Sequence, residues 1–557
     1  MANAFSHALV KKPKRSRNDF THSNKLGMRF GALTPTLTEM IFPDDDVAIS
    51  MAQVIRLAPM PLPTFMDLKI RHDFFFVPLR LLYGVEHLDK VFGYGGNRGA
   101  LEPNDFLKNF VAYYDDGETP IPNSSVPFVS GTLLDHLGYC PPSQLTDWQD
   151  QFFDGIDVKF NKLKTSNLSN DIKAFNNAFA QYVWSADANS TPVINTDPLC
   201  IEKIIAYHFI WRDWYRFTGI NPDNTEPENY LLNGVLSILP YEMTNTLASP
   251  VDSWLNDSKL LPFLASSSKP FNSSYLTQYK YAHLRKDMFT SVRYGNKPQV
   301  LIPANGTIPQ LREASAVQRF VDLLSITGKR YYDNILGIFG VRPEGPADDR
   351  VQFLARYQSY IKSGEVITTA TTSEATTGDY AGRGILIDAK NYIFKRHFTE
   401  HGYLFCISSI VPEVDYRGMG RDITDISVYD IPNPPLSQIG DQSVLKREMY
   451  FDWNDALDTS IGDQFRYYAY KSHNNEVHGD FLSPTLAPFT SLPHASSSFA
   501  SIPLTNVIDF SRVTPAAYNY IFNDVTSYWL NGERFFAKLD FDEWITRSLP
   551  KYINYHL

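Results

Sequence analysis

The chain has 557 residues, 14% of them aromatic and 36 of them proline, and its formal net charge of −10 is unevenly spread. Residues 1–30 hold seven Lys/Arg and one acid, whereas the remainder holds 44 bases against 60 acids. Cys140, Cys200 and Cys406 lie far apart with no CxxC pair, which excludes a disulfide framework or zinc ribbon, and no run reaches the ~18 apolar residues of a membrane helix.

The short apolar stretch at the N-terminus precedes its charges rather than following them, so the chain reads as neither secreted nor membrane-embedded. Length alone argues for roughly three to four domains. Abundant aromatics and prolines, without long runs of Ala, Glu, Lys and Leu, argue instead for strand-rich structure with irregular connections. Residues 1–30 read as a basic arm. Lys11, Lys12, Lys14, Arg15 and Arg17 cluster around Pro13 in a stretch too polar to bury anything, and such a cluster attracts polyanions. An acidic body repels nucleic acid, so attraction confined to one terminus suits a molecule with an inside and an outside, such as a shell protein. A solvated tail or a nuclear-import signal has the same composition.

Two strands follow. Val47, Ile49, Met51, Ile55 and Leu57 share one face by period-two alternation, and Leu68, Ile70, His72, Phe74 and Phe76 do the same before Pro78. The Pro59–Pro63 stretch between them is a connection. Residues 86–289 read as a large, partly helical insertion, in which Ile201, Ile204, Ile205, His208 and Trp211 or Arg212 recur at helical spacing on a helix ending near Gly219. After Pro309, Leu311, Ala314, Val317, Val321 and Leu324 form the apolar stripe of another helix. A Thr/Ser/Gly-rich segment at about 361–390 reads as a loop. Gly402–Val411, apolar on both faces, is a covered strand, and Phe465–Tyr470 and Ser501–Phe510 read as later strands. Strands near both ends imply pairing across long sequence separations, as in a Greek-key or jelly-roll sandwich with insertions in its loops.

Four segments suggest chemistry. His397-Phe398-Thr399-Glu400-His401 fits a zinc-binding pattern that requires a helix, but β-rich sequence follows at once, and on a strand the two histidines stand roughly 13 Å apart. Gly93–Gly99 misses the spacing of a nucleotide-binding loop, and Asp44-Asp45-Asp46 reads as a solvated turn rather than a calcium site. Trp211, Arg212, Trp214, Tyr215 and Arg216 interleave rings and guanidinium groups, which suits base stacking and equally suits a buried interface helix. No G-x-S-x-G, Walker loop or cofactor-binding spacing is present, so the reading is a non-enzymatic protein without a cofactor.

Several blocks in consistent order resemble the major capsid protein of the Microviridae, small icosahedral single-stranded DNA phages, and especially its gokushovirus-like branch. They are Arg56-Leu57-Ala58-Pro59 through Asp73–Leu82, Ile210–Arg216, Leu311–Ala314, Phe398–Tyr403, Ile439–Val444 with Glu448, and Phe465–Tyr470. The resemblance implies an eight-stranded antiparallel jelly roll with large, partly helical loop insertions over residues 31–557, tiling a T=1 shell around circular single-stranded DNA. It implies as partners further copies of the chain, the genome, minor capsid, scaffolding or small basic DNA-binding proteins, and a host surface receptor, with no membrane. Assembly is expected in the host cytoplasm, and the virion is the destination. Segments 120–200, 225–290 and 544–557 match nothing specific. Two rival readings are the capsid protein of a different single-stranded DNA virus, with the arm as an import signal, and a glycan-binding jelly-roll protein.

Overall fold

A computed structural model describes residues 15–83, 133–138, 202–216, 350–367, 380–424, 431–449, 460–483, 485–491, 511–522 and 533–549, with single positions within 279–292 and 310–317. Its strands in chain order are β1 (Ser16–Asp19), β2 (His22–Met28), β3 (Thr34–Ile41), β4 (Asp45–Leu57), β5 (Leu68–Pro78), β6 (Gln352–Ile367), β7 (Tyr380–Phe398), β8 (Gly402–Pro412), β9 (Asp415–Tyr416), β10 (Asp441–Leu445), β11 (Ser460–Phe465), β12 (Asn475–Glu476) and β13 (Phe535–Arg547).

The main sheet runs β1-β13-β4-β7-β6-β5-β8-β3, with β2 also paired to β13, and every pairing is antiparallel. It curls at β6, whose first part pairs with β5 and whose last part, from Lys362 to Ile367, pairs with β7. Two layers result, β1/β2-β13-β4-β7 and β3-β8-β5-β6, with one hydrophobic cluster between them. This strand order is that of a jelly-roll sandwich. The termini pair as expected, with Phe535 opposite both Met28 and Leu57.

Local sequence accounts for the strands. In β4 the inward row Val47, Ile49, Met51, Gln53, Ile55 and Leu57 is buried while alternate residues are not. In β13, Phe535, Ala537, Leu539, Phe541, Glu543 and Ile545 form the same kind of row. In contrast, all eleven residues of β8 are buried, and only Arg71 of β5 is not.

Several expectations need correction. The arm is shorter than 1–30, because Ser16–Asp19 and His22–Met28 are strands at the edge of β13, where backbone pairing compensates for their polar composition. The loop at 361–390 is likewise narrower, since β6 continues to Ile367 and β7 starts at Tyr380; long paired strands tolerate Gly364, Gly382 and Gly384. Phe465–Tyr470 is not a sandwich strand. Only its first residue belongs to β11, which pairs with β10 in a separate two-stranded sheet; Tyr467 then turns left-handed (φ 63°) and a 3-10 turn follows. Val317 of the expected apolar stripe is 44% exposed. Ser501–Phe510 and most of 86–289 lie outside the described residues.

A polar chain crosses the apolar interior. His72 on β5 donates through Nε2 to Gln53 Oε1 on β4 (2.8 Å) and accepts at Nδ1 from the Ser408 hydroxyl on β8 (2.7 Å). Gln53 continues to Ser359 (3.2 Å) and Ser359 to Asp388 (2.5 Å), so five strands share one satisfied network. Complete burial pushes the His72 imidazole down to about 3, and it is therefore neutral.

Candidate nucleic-acid interface

The described part of the basic cluster begins at Arg15, whose guanidinium donates to the Asp46 carboxylate and the Asp44 carbonyl, both at 2.6 Å. Ser16 donates to the Leu549 carbonyl (2.7 Å), and the Arg17 guanidinium lies 4.1 Å above the Trp544 ring. Burial works against ionisation of Asp46, yet hydrogen bonds from His397 and Arg15 hold its carboxyl below the ordinary range. These contacts root the arm on the solvent side of the β13-β4-β7 layer. Lys11, Lys12 and Lys14 lie outside the described residues.

The second candidate segment has a different surrounding. The helix Glu202–Ile210 runs into a π-helical turn, Trp211–Tyr215, closed by the Arg216 amide donating to the Trp211 carbonyl (2.8 Å). The turn lies against the outer face of β5 and β6. Trp211 is only 1% exposed, and Tyr215 donates to Asp73 (2.7 Å), which also receives Arg356 through two bonds at 2.5 and 2.9 Å. Burial, then the neighbouring Asp73 charge, push the Tyr215 hydroxyl well above its usual range. Trp214 donates to the Val351 carbonyl (2.8 Å) and contacts the rings of Phe75 and Phe353, while Arg212 stacks on Phe209 (4.1 Å). The buried ring of Trp211 and the Asp73-bound Tyr215 do not offer faces for base stacking. The segment covers a sheet.

The His397/Glu400/His401 motif spans the β7–β8 connection, where its side chains separate. His397 contacts Asp46 (2.8 Å), Glu400 accepts from Arg80 (2.9 Å) and His401 meets the Phe42 ring edge-on. Asp44 and Asp46 both face Arg15 and His397, whereas the buried Asp45 is held by Arg547 (2.9 Å). Among the described residues no group of three metal-ligating side chains converges.

Sequence reasoning missed the outward row of the open layer. In register, Lys25, Lys538, Val54 and Ile387 form one row across β2, β13, β4 and β7; Phe536, Arg56, Ile385 and Lys362 form the next, across β13, β4, β7 and β6. Arg383 sits two residues from Ile385 on the same face of β7. The signal was the outward parity of the same alternation that assigns the core row.

A jelly roll with large inter-strand insertions is an architecture found in viral shell proteins. The comparisons agree. The family model described as "Capsid protein (F protein)" matches residues 6–515, and the chain belongs to that family. It is 22% identical to capsid protein VP1 of Chlamydia phage 1, with 92% of each chain covered, and 22% identical to VP1 of Bdellovibrio phage phiMH2K, with 92% of this chain and 91% of that one covered. VP1 of Spiroplasma virus 4 is 21% identical over 84% of this chain and 82% of its own. The protein is a structural capsid protein of a small single-stranded DNA phage.

Proposed function

We propose that copies of this chain close into a T=1 icosahedral shell around circular single-stranded DNA, acting by self-association rather than catalysis. One jelly-roll unit carries both long insertions, after β5 and after β8, and these supply most contacts around the symmetry axes. Each copy meets several neighbours, so modest interfaces repeated over a closed shell stabilise it collectively. Lys11, Lys12 and Lys14 reach from the arm root to phosphate or to an acidic scaffold. Minor capsid, scaffolding or small basic proteins assemble with the shell in the host cytoplasm, and an insertion meets the host receptor.

The observation that supports this most is the sandwich order with insertions confined to inter-strand connections, in a chain belonging to a capsid family. Electron microscopy of the purified protein from its native source, with nuclease digestion of opened particles, tests it. Uniform small shells containing circular single-stranded DNA are expected; a dispersed 63.4 kDa monomer free of nucleic acid refutes the proposal.

A further inference from the structure

The two outward faces of the sandwich differ in what reaches them. On the face of β5 and β6, residues 211–216 cover Asp73, Phe75 and Phe353, while Tyr360 further along β6 stays 44% exposed. The face of β2, β13, β4, β7 and the end of β6 keeps Ile385 at 41% and Ile387 at 71% exposure. Two residues apart on one face of β7, they form a short apolar strip among the cations of that face.

Charge identifies the partner. Arg56 and Lys362 adjoin Ile385 from opposite strands, which places their Cα atoms about 10 Å apart, and Arg383 lies about 7 Å further along β7. Among the described residues none of these three makes an ion pair. Lys25 and Lys538 extend the patch across β4, and the acid in contact with them is Asp540, paired with Lys538 at 2.8 Å between exposed side chains. Five cations, with Asp540 on β13 and the Glu533 carboxylate over Gly27 at the β2 edge as the nearby acids, stand out on a chain whose residues beyond the first 30 carry 60 acids against 44 bases. Facing a second copy of itself, this patch would oppose cation to cation. A polyanion with flat apolar groups between its charges satisfies both the cations and the isoleucines. The arm is rooted on the same face, at the opposite end of β4, beside Asp46.

We infer that this face binds single-stranded DNA directly, with phosphates on Lys25, Arg56, Lys362, Arg383 and Lys538 and bases against Ile385 and Ile387, which makes it the inward side of the shell. The inference rests on the genome-enclosing reading above and adds a second contact independent of the arm.

The test uses the purified full-length chain and a fluorescent oligothymidylate, with anisotropy followed across a salt titration. Replacing Arg56, Lys362 and Arg383 together (Arg56→Gln, Lys362→Gln, Arg383→Gln) should flatten the slope of log K against log salt by about 2, at ~0.7 per lost phosphate contact on a single strand. The thermal midpoint should not move. Ile385→Ser with Ile387→Ser should weaken binding severalfold without changing the slope. An unchanged affinity and slope in the triple variant overturns the inference. So does a triple variant that binds DNA normally yet no longer forms particles, which would make the face a contact between copies. A parallel arm variant (Lys11→Gln, Lys12→Gln, Lys14→Gln) separates the two readings. If only the arm variant loses the slope, this face is not a DNA surface while the genome-enclosing reading stands; if native particles hold no DNA, that reading falls first.

Discussion

The two layers of the sandwich are built from similar residues and differ in what lies outside them. In the layer β3-β8-β5-β6, β8 has no unburied position and β5 has one, and the 211–216 turn packs on the outer side of β5, although Tyr360 of β6 and Met40 of β3 stay exposed at its flanks. In the layer β1/β2-β13-β4-β7, every second residue of β4 and β13 is partly or fully exposed. An insertion between β5 and β6 therefore acts as a cover for its own parent strands. The layer it leaves bare is the one available to other molecules.

The sharpest break of this contrast is Phe75→Ala, which removes a ring seated between Trp214, Tyr215 and Phe353. It should destabilise the chain by about 3–5 kcal/mol in denaturant titration, whereas a result near zero would mean the 211–216 segment is not held there. Asp73→Asn comes next. It keeps an acceptor for Tyr215 but takes the counter-charge from Arg356, whose side chain is 46% exposed and can regain water. A loss of about 1.5–3 kcal/mol by thermal unfolding is expected.

Within the open layer, the inward row of β13 holds one exception. Glu543 is 0% exposed and, among the described residues, neither carboxyl oxygen finds a hydrogen-bond partner. Burial, reinforced by Glu39 and opposed by Arg547, pushes its carboxyl up to about 8 from an ordinary 4.5. The folded chain thus holds a proton that the unfolded chain releases, so stability should fall as pH rises between these values and level off above them. Glu543→Gln should remove up to ~1.4 kcal/mol of that loss for each pH unit. Urea midpoints of both proteins at mildly acidic and mildly alkaline pH check this; parallel pH profiles would show that Glu543 ionises freely. Glu39 is also raised, by burial first, with His22, Lys203 and Arg547 opposing, and it should leave a residual slope. The smallest effect belongs to Ile387→Ser, exposed on the bare face, which should change stability by within ~0.5 kcal/mol. A larger loss would show that this face is packed against something within the chain.

The same difference decides what was legible from sequence. β4, open on one side, announces itself through alternation, and β8, covered on both, through an unbroken apolar run. β13 alternates as clearly as β4, with an inward Glu543 where β4 has an inward Gln53, yet it went unread. β1 and β2 carry lysines and arginines that resemble a free arm, because nothing in Ser16–Asp19 reveals that Trp544 and Glu543 wait across the gap. The zinc-like histidine motif was set aside on local sequence, and its side chains stand apart at the β7–β8 connection. Of the candidate site, the arm cluster was visible as consecutive charges, while Lys25, Arg56, Lys362, Arg383 and Lys538 converge only through strand register and are unremarkable singly. Trp211–Arg216 presented the right side chains for base stacking, but only the packed turn shows that Trp211 and Tyr215 face protein.

The pairing of β13 with β4, Phe535 opposite Leu57, also bears on how the chain is made. At ribosomal speeds of about 5–20 residues per second, β4 waits roughly half a minute to a minute and a half after its own synthesis before that neighbour exists. Throughout that interval its hydrogen-bonding edge toward β13 is open to strands of other nascent chains, a hazard for a protein made in many copies at once. Slow production or chaperone cover during late translation should therefore raise the yield of soluble protein more than any change made to the finished surface.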